Sequence, residues 1–352
     1  MRPLAITPTA AAMIALLIAC SDDGSTSTPT TAAQETSPVT TAKATTSTVG
    51  ATTSTVAVVE RPQSIDELLT LGRPIVLAHT AGEDEFPGST IFGFAESVRA
   101  GVDMLDMNVL LTADGVLVVQ HDETVDRTTD GSGAVADLVY EDVAALDSAY
   151  WFTADCGVCA DQPAEAYIYR GIRTGDAAAP AGYSADDFAI PSFRDVVARF
   201  PDLPLNIEIK GTGEPALAAA RVLATELTEL GRAEASVVAS FDDAVVIAFH
   251  ELLPNVELSP SVGMTSAWAL DDVPLPYGMR ILQLPPRFGE LEVITPDLIA
   301  RATAAGYVIW VWPNNRELEN YDAYVTFLEM GIGGLNINFP AQGVRAVRDT
   351  QV

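Results

Sequence analysis

From about residue 58 onward, short apolar runs alternate with stretches whose apolar positions recur at helical spacing. The runs "PIVLAH" (74–79), "VDMLDMNVLL" (102–111), "VLVVQHD" (116–122), "PLNIEIK" (204–210) and "ASVVAS" (235–240) predict strands. So do "VELS" (256–259), "RILQLP" (280–285), "YVIWVW" (307–312) and "GLNINFP" (334–340). "TADG" (112–115) turns the second run back into the third. Helical spacing covers 90–101, beginning after Ser89 and stopping at Gly101, and then 138–147, 192–200, 214–231, 242–252, 295–306 and 319–330. The stretch between 259 and 280 reads as mostly loop. Residues 150–189 are aromatic, rich in Gly and Pro and weakly periodic, which predicts an irregular excursion. Most of the strand runs are continuously apolar, as in a parallel sheet covered on both faces. Roughly eight of them over this length predict a closed (β/α)8 TIM barrel. An open doubly wound sheet is the alternative, and against it "AHTAGEDEFPGS" has no G-x-G-x-x-G spacing.

The first 57 residues follow different rules. After Met1-Arg2, the apolar run "AAMIALLIAC" is too short for an ordinary transmembrane helix. Its end, Leu17-Ile18-Ala19-Cys20, resembles a bacterial lipobox, in which the cysteine is lipidated and becomes the mature N-terminus. Residues 21–57 are Ser, Thr, Ala and Pro with almost nothing to build a core, and predict a disordered tether. The chain therefore divides into a lipoprotein signal peptide (1–20), a tether (21–57) and a barrel (58–352). This organisation implies a place outside the cytoplasm, lipid-anchored to a bacterial cell membrane or secreted. Membrane contact would be through the anchor alone.

Charge narrows the partners. There are 48 Asp and Glu against 19 Lys and Arg, a net charge of -29, and the only lysines are Lys43 and Lys210. Such a field repels nucleic acid and anionic lipid, so neither is a predicted partner, and no protein partner is predicted. The acids read either as divalent-cation ligands or as adaptation to a salty exterior, and their dispersed placement favours the second. Cys156 and Cys159 form "CGVC". In an exported protein this reads as a short-loop disulfide ahead of a redox dithiol or half a zinc site.

In a barrel, polar residues at the C-terminal ends of strands face the active-site mouth. Here they are His79, Asp106 with Asn108, Glu208 with Lys210, and His121-Asp122 beyond the Asp114-Gly115 turn. Asp106, Asn108 and Glu208 offer hard oxygen donors suited to Ca²⁺ or Mg²⁺. His79 and His121 suit an acid and a base on either side of a phosphoryl centre, with Lys210 neutralising phosphate charge. Asp122 either orients a histidine or caps the following turn.

Several of these segments together resemble the glycerophosphodiester phosphodiesterase family. "TADGVLVVQHDETVDRTTDGSG" (112–133) and "LNIEIK" (205–210) match its motifs nearly intact. "AHTAG" matches a His-Arg-Gly motif with Thr80 at the arginine. "PGST" (87–90) matches Pro-Glu-Asn-Thr with Gly88 and Ser89 substituted. "GVDMLDMNV" matches a Glu-x-Asp strand with Asp106 and Asn108 at the two working positions. Segments within 149–193 resemble a secreted or lipid-anchored branch of the family. The resemblance implies metal-assisted hydrolysis of a glycerophosphodiester, or a related lipid headgroup diester, to glycerol 3-phosphate and an alcohol. It also implies His79, His121 and Lys210 as catalytic residues, Asp106, Asn108 and Glu208 as metal ligands, and Thr80 and Trp312 lining the substrate pocket. The substitutions predict a metal site of lower charge, weaker for Mg²⁺ than for a flexible Ca²⁺ sphere, and the loss of a bidentate arginine grip on phosphate. Two other readings stay open. One is a catalytically impaired barrel that binds a polyol phosphate at the cell surface; the other is a phospholipase C-like or lyase activity with little metal dependence.

Overall fold

In a computed structural model, residues 61–351 are described; the signal peptide, the lipobox Cys20 and the tether lie outside them. Nine strands make the main sheet: β1 Ile75–Ala78, β2 Met104–Leu111, β3 Leu117–Val119, β4 Leu205–Ile209, β5 Ser236–Ala239, β6 Glu257–Leu258, β7 Ile281–Leu284, β8 Val308–Val311 and β9 Gly334–Ile337. Eight of them run parallel in the order β6-β5-β4-β2-β1-β9-β8-β7, a nearly closed (β/α)8 barrel. The remaining strand, β3, turns back antiparallel on β2, with Val109 opposite Val119. The apolar run at 116–122 is thus half of a hairpin and not a barrel stave. Where β6 meets β7 there is no ladder, and side chains bridge the seam. Ser259 Oγ donates to the Ile281 carbonyl at 3.4 Å, and the Arg280 N–H donates to Glu257 at 3.0 Å.

The period of two along each strand explains how one barrel has an apolar floor and a polar mouth. Ile75, Leu77, Met104, Val237, Ile281 and Trp310 pack together as one cluster, closed from below by Ile65 and Leu68. Their neighbours Val76, Ala78, Leu105, Val238, Leu282 and Val311 join the larger core that faces the helices. Two residues on from several of these inward apolar positions stands a polar one at the mouth. Leu77 leads to His79, Met104 to Asp106 and Asn108, and Ile281 to Gln283. The alternation that folds the barrel also loads its site.

Among the described residues ten helices accompany the sheet: α1 Ile65–Leu69, α2 Ile91–Ala100, α3 Tyr140–Ala145, α4 Phe193–Arg199, α5 Gly213–Glu229, α6 Asp243–Leu252, α7 Val262–Asp271, α8 Pro296–Ala304, α9 Tyr321–Glu329 and α10 Pro340–Thr350. Thr90, not Ser89, caps α2, its Oγ1 accepting from the Gly93 N–H. The stretch between 259 and 280 holds a helix, α7, capped by Ser261; its pattern is faint because only Trp268 is buried. α10, beyond the last strand, packs through Pro340, Gly343, Ala346 and Val347, which recur at helical spacing. Small side chains on that face bring it close to the sheet.

Residues 150–189 form the expected excursion. It holds a two-stranded hairpin, Phe152–Thr153 against Gly157–Val158, and short 3-10 turns. The sulfurs of Cys156 and Cys159 are bonded, with Cα atoms 6.2 Å apart. Phe92 of α2 packs with Phe188, Tyr169 and Tyr183, fastening the excursion to the barrel. Among the described residues no helix is long and apolar enough to cross a membrane.

Candidate active site at the mouth of the barrel

His79 follows β1 directly, and His121 follows β3 after Gln120. Their rings meet edge to face with centroids 5.6 Å apart. Each is tethered through Nδ1. His79 Nδ1 lies 2.7 Å from Asn338 Oδ1, and His121 Nδ1 lies 2.6 Å from Asp122 Oδ1. An acceptor on Nδ1 places the proton there and leaves Nε2 of each ring for chemistry. Of the two roles open to Asp122, the structure displays the orienting one.

Arg127 joins the two halves. Its Nε donates to Asp122 at 2.6 Å, and its terminal nitrogens reach Glu83 at 3.3 and 3.4 Å. Burial works against the Asp122 carboxylate, but hydrogen bonds from His121 and Arg127 hold it well below the usual range. Glu83 likewise stays ionised despite burial, chiefly through the Arg127 charge and then those of His79 and His121. For His79, burial disfavours the cation, yet Asp106, Glu83, Asn338 and Glu319 outweigh it and the imidazole titrates above its ordinary value.

The metal-ligand candidates sit side by side. β2 and β4 pair in parallel with Asp106 beside Asn206 and Asn108 beside Glu208. Asp106, only 4% exposed, accepts from Asn206 Nδ2 at 2.5 Å and from the Thr80 N–H at 3.3 Å. Burial raises its pKa, and His79 and Asn206 only partly offset that. Asn206 in turn exchanges hydrogen bonds with Gln283 of β7 at 2.9 and 2.8 Å. Glu208 lies 3.3 Å from Lys210 Nζ. Among the described residues no three His, Cys, Asp or Glu side chains are grouped to hold a metal; here the third donor is an amide. Asn108 Nδ2 is buried with no hydrogen-bond partner among the described residues. Turning that amide over would present its oxygen instead, with no hydrogen bond to break. Two carboxylates and a free amide fit a hard cation of modest charge demand.

Trp312 follows β8 and approaches Phe241, ring centroids 6.0 Å apart, while Lys210 Nζ sits 5.9 Å from the Phe241 ring. Thr80, expected against substrate, is 1% exposed with its Oγ1 unpartnered among the described residues. Its φ of +43° turns the chain so that its backbone N–H serves Asp106. The shorter side chain fits an inward place that an arginine fork would not.

Sequence reasoning missed Glu83, Arg127, Glu319, Asn206, Gln283 and Asn338. Four of these carried a signal. Asn206, Gln283 and Asn338 obey the same two-residue alternation that picked out Asp106 and Asn108. Arg127 lies inside the matched "HDETVDRTTDG" segment. Glu83 and Glu319 come from loops, where no period applies. Glu319 accepts from Tyr324 Oη and, at 3.0 Å, from the Asn338 N–H. Burial pushes its carboxyl up to about 7 against those two hydrogen bonds.

Comparison with known proteins follows the same lines. A glycerophosphodiester phosphodiesterase of Caldanaerobacter subterraneus subsp. tengcongensis is 42% identical over 80 residues, 23% of this chain and 33% of that one. The chain thus spans about a third of the length of the first curated relatives it matches. The enzyme of the same name from Bacillus altitudinis is 22% identical over 277 residues, 77% of this chain and 96% of its own. A solved phosphodiesterase of Oleispira antarctica, in complex with the product sn-glycerol-3-phosphate, superposes with a TM-score of 0.57 at 17% identity. That match covers 78% of this chain and 97% of the other, and shows the shared fold. The model of the glycerophosphoryl diester phosphodiesterase family matches residues 79–342, which takes in both histidines, both strands of the ligand set and the last strand of the barrel, and the chain belongs to that family.

Proposed function

We propose that this protein hydrolyses glycerophosphodiesters to glycerol 3-phosphate and an alcohol, with His79 and His121 as the acid–base pair. The observation that carries this is the pair of imidazoles 5.6 Å apart, each tethered through Nδ1. His79, held proton-rich by the carboxylates around it, protonates the leaving alkoxide. His121, aligned by Asp122, takes the proton from the attacking hydroxyl, whether water or a hydroxyl of the glycerol itself. Lys210 offsets charge gathering on the phosphoryl oxygens. The product held by the Oleispira antarctica structure supports a polyol phosphate as the product here.

Enzymes of this family generally depend on a divalent metal. Asp106, Asn108 and Glu208 would hold it, and it would supply charge neutralisation at the phosphoryl oxygens. The set carries two negative charges, and Asp106 has the short reach of an aspartate. Both features favour Ca²⁺, whose coordination is flexible, over Mg²⁺, which demands near-ideal geometry. The lipobox-like Cys20 and the bonded Cys156 and Cys159 support a lipid-anchored place outside the cytoplasm.

The test is turnover of glycerophosphocholine and bis(p-nitrophenyl) phosphate by folded protein with Ca²⁺, Mg²⁺ or Mn²⁺. Activity is expected, highest with Ca²⁺, and His121→Ala should lower kcat by roughly 100-fold or more. Folded protein inactive with all three ions overturns hydrolysis of these substrates. Thermal stabilisation of that inactive protein by glycerol 3-phosphate would then favour the binding-module reading.

A further inference from the structure

The hydrogen bond between Asn338 and His79 is only as directional as the amide that makes it. An amide can turn over and offer N–H in place of C=O, which would reverse the tautomer of the imidazole facing it. Asn338 is prevented from doing so by Asp84. Its Nδ2 donates to Asp84 Oδ2 at 3.0 Å, and an ionised carboxylate can only accept. Burial at 6% exposure raises the Asp84 pKa, but the Arg316 guanidinium reaches the other oxygen, Oδ1, at 2.5 Å and opposes that rise. The consequences run in order. Arg316 keeps Asp84 an acceptor, Asp84 turns the Asn338 N–H away from the histidine, and Asn338 Oδ1 fixes the proton on Nδ1.

The same cluster rests on the excursion. Arg316 also donates to the Cys156 carbonyl at 2.9 Å. The next residue, Gly157, has φ +68° and lies so close to Asp84 Oδ1 that a Cβ there would overlap it. Cys156 ends the turn of the hairpin and Gly157 opens its second strand, which the Cys156–Cys159 bond brackets. We propose that Asp84 and Arg316 are positioning residues for His79, and that the hairpin, its second strand braced by the disulfide, holds them in register. The inference rests on the acid–base role given above to His79. It assigns the excursion a task in the reaction that its distance in sequence from the barrel conceals.

The other groups facing His79 are Glu83 from its own loop, Asp106 from β2, Glu319 from the loop after β8, and the His121 ring. Glu83 Oε1 lies 4.0 Å from His79 Nδ1 and is a competing acceptor for that proton. Loss of Asp84 should therefore weaken the tautomer preference without abolishing it.

The chain has three histidines, so the His79 imidazole nitrogens can be assigned by ¹⁵N spectroscopy on the full chain. The wild type should show neutral His79 as the Nδ1–H tautomer. Asp84→Ala should move a substantial fraction to Nε2–H and lower kcat by about tenfold or more, with KM changing less than about threefold. Arg316→Gln, at a side chain 52% exposed, should act in the same direction and is the variant to rely on if Asp84→Ala does not fold. A Cys156→Ser, Cys159→Ser double variant should show a smaller loss of the same kind, and Asp161→Asn, on the same excursion, none. An unchanged tautomer in Asp84→Ala and Arg316→Gln overturns the proposal, as does a kcat loss without a tautomer change. No effect of the double serine variant overturns the part assigned to the hairpin. The spectroscopic reading needs no substrate, so a shifted tautomer in protein that proves inactive supports the positioning role while hydrolysis itself fails.

Discussion

Glu319 shows how a single buried carboxyl writes a pH dependence into the fold. It is 6% exposed, accepts from Tyr324 and the Asn338 N–H, and titrates at about 7, against about 4.5 when unburied. Between those values the native state holds a proton that the unfolded chain has released. The stability this group contributes is therefore highest below about 4.5 and falls as pH rises to about 7, by on the order of 3 kcal/mol. Glu319→Gln keeps an acceptor for both donors and has no proton to lose. The difference in unfolding free energy between wild type and variant should thus change with pH across this window and be flat on either side. A constant difference from pH 4 to 8 would show that Glu319 stays ionised in the fold. Glu319 was not legible in the sequence, because it reaches the site from a loop. Asp106, Asn108 and Glu208 were legible, since each occupies an inward position on a strand whose alternation could be counted.

At the level of elements, the turn of chain that delivers His79 is anchored at the start of α2. Thr90 Oγ1 donates to the Pro87 carbonyl at 2.8 Å and accepts from the Gly93 N–H at 2.9 Å. A Cβ on Gly93 would overlap that same carbonyl. Two effects compete on Gly93→Ala. Helix propensity favours alanine by about 1 kcal/mol, while forcing a methyl against fixed backbone costs about 1–3 kcal/mol. The carbonyl cannot rotate away without breaking the cap, so the clash should win. We expect a lower melting temperature for Gly93→Ala and a weaker helix start; a variant as stable as wild type would mean that the 87–90 turn is free to move. The elements themselves were largely readable from their pattern. One exception is α7, which buries only Trp268, while the hairpin of β2 and β3 was already marked by the turn at 112–115. Periodicity reports burial, and α7 buries too little.

The whole molecule carries its charge unevenly. Acids outnumber bases 48 to 19, and most arginines of the described residues are already engaged in ion pairs, including Arg73, Arg99, Arg173, Arg194, Arg221, Arg280 and Arg301. The excess carboxylates far outnumber the cations left to pair with and repel one another. Salt acts on both populations. It weakens exposed ion pairs, each contributing about 0–1 kcal/mol, and it screens the repulsion among the unpaired acids. With a net charge of -29, repulsion involves many more pairs of charges than attraction does. Raising NaCl from about 0.01 M to about 1 M shortens the Debye length from about 30 Å to about 3 Å. The melting temperature of metal-free protein should rise over that range and level off at the high end. A fall would mean that the ion pairs outweigh the repulsion and that the acidic surface is no burden to the fold. A rise would explain why so many carboxylates are tolerated, and it sets the condition for metal measurements. At low salt the whole acidic surface attracts divalent ions, so only in screened solution does a titration report the Asp106, Asn108 and Glu208 set.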